Sequence, residues 1–116
     1  MNYILGISDQ PRQHMTILLA DGTKADLTLE FKPMQKGWFF DIAWSGSTFR
    51  ANGQRLVSAP NILRQYIDQI PFGIYCKTAN NVEPFNQTDF VTGVCQLILL
   101  DSEDVRYIDA AIFVNR

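Results

Sequence analysis

The sequence predicts a mainly β protein, a small antiparallel β-barrel or sandwich of about six to seven strands with one short helix at about 60–70. Three observations carry this. In the stretch KGWFFDIAW, residues Trp38, Phe40, Ile42 and Trp44 fall on every second position. A strand places all four on one face, as an apolar ridge that a second layer must cover. Residues 25–31 alternate too, with Leu27, Leu29 and Phe31 on one side and Asp26, Thr28 and Glu30 on the other, the pattern of a sheet with one wet face. From Ser58 the period changes, and Ile62, Leu63, Tyr66, Ile67 and Ile70 recur at helical spacing.

Along the chain, QHMTILL at 13–19 sets Met15, Ile17 and Leu19 on one side of a first strand. Asp21-Gly22 then signals a hairpin, because both residues tolerate the positive φ angles of a type I′ turn. Lys32-Pro33-Met34-Gln35 interrupts the pattern before the ridge strand, and Ser45-Gly46 interrupts it afterwards. The runs 47–51 and 54–57 read as a hairpin across Asn52-Gly53, completing a meander of sequential neighbours. For the helix, Ser58 or Asn61 supplies the cap, Pro60 suits the first turn, and Pro71 and Gly73 end it.

Two further strands are expected at 73–78 (GIYCKT) and 94–100 (VCQLILL). The second is apolar on both faces, with Cys95, Leu97 and Leu99 on one and Val94, Ile98 and Leu100 on the other. It is therefore central in its sheet or touches a partner. The Asn-rich connection between the two is longer than a usual hairpin loop, and Phe85 and Phe90 give it apolar anchors. After the acidic turn Asp101-Ser102-Glu103-Asp104, the tail VRYIDAAIFVNR is too apolar for a free solvated end. The expected organisation is one domain over 1–116, with 101–116 as an apolar C-terminal extension.

With 47% hydrophobic and 19% charged residues, the 116-residue chain has the composition of a folded globule. A net charge of −2, with Arg50 and Arg55 a loose pair and Lys32 and Lys36 flanking a Pro, argues against nucleic acid as a partner. No window approaches the about 20 apolar residues of a membrane span, so no membrane partner is expected. The start, MNYILGISDQP, lacks the basic region of a secretory signal, so synthesis in a cytoplasm is expected. Cys76 and Cys95 then read as two buried free thiols.

The sequence carries no credible catalytic, metal or cofactor motif. His14 is the only histidine, and no nucleophile-elbow pattern surrounds any serine. One His and two Cys at unrelated spacings do not make a closed zinc site, and the acidic turn lacks the EF-hand spacing. None of the seven glycines forms a phosphate-cradling loop. Trp38 and Trp44 on a β face suggest one alternative, a small ligand- or carbohydrate-binding module, although their shared parity with Phe40 and Ile42 favours burial.

A further pattern runs through Pro11 and Gln13, the strands around Asp21-Gly22, Gly37-Trp38 with Asp41, Gly53 with Leu56, Ile62-Leu63, Gly73, Pro84 with Asp89-Phe90, and Leu97. It resembles the small baseplate plug proteins of contractile-tailed bacteriophages, over roughly residues 4–100. The helical segment at 60–70 and the tail at 101–116 depart from that pattern by being longer. The resemblance implies a non-enzymatic structural component of the virion tail baseplate, made in the host bacterial cytoplasm. Its partners would be other baseplate and tail proteins, with a homo-oligomer in a symmetric assembly accounting for surplus apolar surface. The expected partner interface comprises Phe39, Phe85, Phe90, Val94, Ile98, Leu100, Tyr107, Ile112 and Phe113.

Overall fold

The computed structural model describes residues 2–4, 6–19, 21–79 and 83–112. Among these, seven strands form two antiparallel sheets, and one α-helix follows them. The larger sheet is the expected meander of β2 (Arg12–Leu18), β3 (Lys24–Lys32), β4 (Gly37–Trp44) and β5 (Arg50–Arg55), in that order. In the smaller sheet β7 (Cys95–Leu100) lies between β1 (Asn2–Tyr3) and β6 (Gly73–Thr78). No strand pairing joins the two sheets into a closed barrel among the described residues.

The core sits where the sheets face each other. Ala25, Leu27 and Leu29 of β3 and Trp38, Phe40 and Ile42 of β4 meet Ile74, Cys76, Cys95, Leu97 and Leu99 from the smaller sheet. The ridge is therefore core, with Trp38 fully buried and Trp44 half-buried at the strand end. Both indole N–H groups are satisfied, as buried polar groups must be: Trp38 donates to the carbonyl of Asn86 and Trp44 to the hydroxyl of Thr23. Cys76 and Cys95 are free and buried, their sulfurs 3.5 Å apart.

Three local expectations are corrected. The Asn52-Gly53 pair makes no hairpin turn; it is a bulge within one continuous strand, β5. Phe40 pairs with Gln54 and Ile42 with Ala51, which leaves Asn52 and Gly53 together opposite Asp41. Gly53 takes φ 67°, and its N–H donates to the Asp41 carboxylate at 2.6 Å. A glycine at positive φ serves a bulge as well as a turn, so the dipeptide alone does not separate the two.

The helix expected at 60–70 is not α-helical. Ala59 bridges Cys76, the Ile62 N–H donates to the Ile74 carbonyl, and the side-chain amide oxygen of the buried Asn61 accepts the N–H groups of both Leu63 and Ile74. These bonds hold 59–62 alongside β6 and leave room only for a 3₁₀ turn at Arg64–Tyr66. Side-chain competition for backbone donors is the usual reason Asn resists helix interiors.

Among the described residues, the one α-helix is instead α1 (Ser102–Ile112), within the segment expected to be an extension. The Asp101 carboxylate accepts the Asp104 N–H at 2.8 Å, and the Asp104 carboxylate accepts the Asp101 N–H at 3.3 Å. This reciprocal pair is a capping box. Val105 and Ile108 of α1 bury against Ile98 and Leu100, with Ile67 and Tyr75 alongside. The Arg64 guanidinium adds an ion pair to Asp109 at 2.9 Å.

Candidate functional site

The nine residues expected at a partner interface take different places in the fold. Ile98 and Leu100 lie under α1, 6% and 0% exposed, so the second apolar face of β7 is covered by the chain's own helix. Phe90 packs edge-on against Trp38, ring centroids 5.1 Å apart, and anchors its loop to the core. Val94 is half-buried, its carbonyl accepting the Ala79 N–H just before β7. Tyr107 projects from α1 with 73% of its surface exposed. Ile112 ends the helix; its side chain and Phe113 lie outside the described residues.

Phe39 and Phe85, 46 positions apart in sequence, are brought together by Arg55. On the outer face of β4, Phe39 pairs across the ladder with Glu30 on one side and Arg55 on the other. The Arg55 guanidinium lies 5.4 Å from the Phe39 ring centroid and 5.5 Å from that of Phe85, and the Lys32 ammonium lies 4.8 Å from Phe39. Both cations are within the range at which the ring quadrupole attracts positive charge.

Backbone acceptors hold Arg55 in place. Its guanidinium donates to the carbonyls of Gln35 and Lys36 at 3.1–3.3 Å. It also occupies the space that a side chain at Gly37 would fill, since a Cβ there would meet it at 2.7 Å. Lys36 closes the Pro33–Gln35 turn at φ 49°, with its side chain exposed. The carboxylates on this side of the sheet are engaged elsewhere: Glu30 accepts from Arg12 at 3.1 Å and Asp41 from Gly53. Phe85, 48% exposed, adds apolar surface beside Arg55, while Met34 in the Pro33–Gln35 turn and Val57, two positions after Arg55, are also exposed.

Lys32 and Arg55 therefore meet over Phe39 on the outer face of the sheet, with Lys36 in the turn whose carbonyls hold Arg55, although the three are scattered in sequence. The ladder explains this, because β3 and β4 pair Lys32 with Gly37 while β4 and β5 pair Phe39 with Arg55. The signal available in sequence was the hairpin spacing between Lys32 and Lys36, which returns the chain to the same end of the sheet.

Residues 83–89, which carry Phe85, are tied down by hydrogen bonds. Asp89, 4% exposed, accepts the Asn86 N–H at 3.0 Å and closes the turn whose carbonyl receives Trp38. Glu83 accepts the Ser58 N–H, and the Gln87 side chain donates to the Asp9 carbonyl at 2.7 Å.

Among the described residues, the groups most suited to chemistry lie apart from these contacts. His14 is exposed on the opposite edge strand, 3.8 Å from the Asp26 carboxylate. Among the described residues, no group of three or more His, Cys, Asp or Glu side chains is placed to hold a metal. The Cys76 thiol is raised above the usual thiol range by its contact with Cys95 and by burial, the reverse of what a nucleophile requires. Burial of Trp38 in the core removes it from the floor of any sugar site.

A family model described as cyanophage baseplate Pam3 plug gp18 matches residues 1–103. No curated protein sequence matches the chain.

Proposed function

The chain belongs to the cyanophage baseplate plug family, and on that premise we propose that it is a structural component of a phage tail baseplate acting through protein–protein contacts during virion assembly. The observation that carries this is the match across residues 1–103, which takes in both sheets and the site around Arg55. The chain is made in the host bacterial cytoplasm, is incorporated into the tail baseplate and has no enzymatic step of its own. Its partners are other baseplate and tail proteins, together with further copies of itself in a symmetric assembly.

The two sheets act as a compact sandwich that presents its contact residues rigidly. Phe39, Phe85 and Tyr107 are the contact residues proposed from the expected set, because each keeps a surface that the fold leaves uncovered. Mass spectrometry of purified phage particles tests the reading. Recovery of the chain in fixed ratio to the other tail proteins supports it, and absence from particles that are otherwise complete overturns it.

A further inference from the structure

We propose that the face built on Arg55 receives an acidic segment of a neighbouring protein, in which carboxylates flank an apolar side chain. The inference rests on the contact role proposed above and specifies the chemistry of one partner. Lys32 and Arg55 face Phe39, and Lys36 stands at the adjoining turn, so three positive charges lie at this end of the larger sheet. The whole chain carries −2, so the charge outside these three residues sums to −5 (−2 minus +3). The face is thus a local positive region on an acidic protein.

The nearby carboxylates do not neutralise it. Glu30 faces Arg12, and Asp41 is turned to the bulge at Gly53. The guanidinium of Arg55 meets only carbonyls and ring faces among the described residues. A carboxylate arriving there completes the charge-assisted hydrogen bonds that neutral carbonyls leave weaker. Phe85 offers apolar surface beside it, and aromatic and Arg side chains are the types enriched at energetic centres of interfaces.

Charge also decides among occupants. Two copies meeting through this face alone would set three cations against three. An extended polyanion would need a basic track, and the outer face of the same sheet soon turns mixed, with Asp26, Asp41 and Arg50 side by side.

The test is an NMR titration of the full chain with an acetylated, amidated Glu-Leu-Glu-Phe-Glu peptide, its Gln-Leu-Gln-Phe-Gln counterpart and a thymidine oligonucleotide. The expected result is shifts centred on the amides of Lys32, Phe39, Arg55 and Phe85. Binding should weaken about tenfold for the Gln peptide, and again between about 0.05 M and about 0.5 M salt. The double variant Lys32→Glu, Lys36→Glu, which leaves the Arg55 bonds to backbone carbonyls intact, should lose the interaction while keeping a folded spectrum.

Equal binding of the two peptides, shifts centred elsewhere, or binding unaffected by charge reversal would overturn the inference. Stronger shifts of the same amides by the oligonucleotide would overturn it in favour of nucleic acid, and concentration-dependent shifts without any ligand in favour of self-association. A chain that binds the acidic peptide but is missing from virions contradicts the plug reading alone. A chain present in virions that ignores the peptide contradicts this inference alone.

Discussion

The indole N–H of Trp38 donates to the backbone carbonyl of Asn86 across 3.1 Å, joining an inner strand of the larger sheet to a loop 48 residues away. The same carbonyl accepts the Asp89 N–H at 3.2 Å, and Phe90 packs on the indole ring. One core side chain thereby sets the position of the loop that carries Phe85.

Trp38→Phe removes that donor and part of the ring volume while keeping an aromatic in place. The expected cost is about 2 kcal/mol, summing the lost hydrogen bond and the residual cavity. Urea denaturation measures it. Amide exchange at Asn86 and Asp89 should accelerate more than exchange in β2, because the loop loses its anchor while the β2–β3 ladder does not.

Ile108→Ala tests whether α1 is an integral layer. Ile108 is 6% exposed against Ile98 and Leu100, so truncation should cost about 2–5 kcal/mol, the usual range for a buried Ile to Ala change. Tyr107→Ala, one residue away but 73% exposed, should change stability by less than about 0.5 kcal/mol. Equal effects of the two in thermal unfolding would mean that the helix does not pack as described.

At Gly53 the bulge asks for φ 67°, and a Cβ there would meet nothing within 4 Å. Any penalty for Gly53→Ala is therefore conformational, about 1–2 kcal/mol. Gly53→Asn should cost less, since Asn visits the left-handed region more readily. Chemical denaturation of the two variants gives the comparison.

The Cys76 thiol lies above the ordinary thiol range because the contact with Cys95 and burial both favour its protonated form. The sign follows from linkage: a thiol raised in the folded state contributes stability below its unfolded value of 9.0, and that contribution is lost as pH climbs past it. Native protein should resist iodoacetamide at neutral pH, gain little reactivity as pH approaches 9, and label at both cysteines once unfolded in denaturant. Rapid labelling of the folded chain, followed by mass spectrometry, would contradict the burial.

What the sequence made legible follows from period. Alternation in β3 and β4 needs only that one face be dry, and Leu27, Leu29, Trp38, Phe40 and Ile42 all lie where their parity put them. The helix was misplaced because helical spacing at Ile62, Tyr66 and Ile70 competes with Asn61, whose side chain ties the segment to β6 through a contact 13 residues away. The true helix did carry a local sign: Asp101 and Asp104 stand at capping-box spacing, with Val105 and Ile108 spaced for one stripe behind them. The face around Arg55 was hidden for another reason. Its members come from β3, β4, β5 and the loop after β6, and only the ladder register shows that they meet.

The central claim is a structural role in the baseplate, and electron microscopy of particles produced without this chain tests it most directly. The account predicts tails whose baseplates are missing or malformed, restored when the chain is supplied from a plasmid. Complete, contraction-competent baseplates formed in its absence would contradict it.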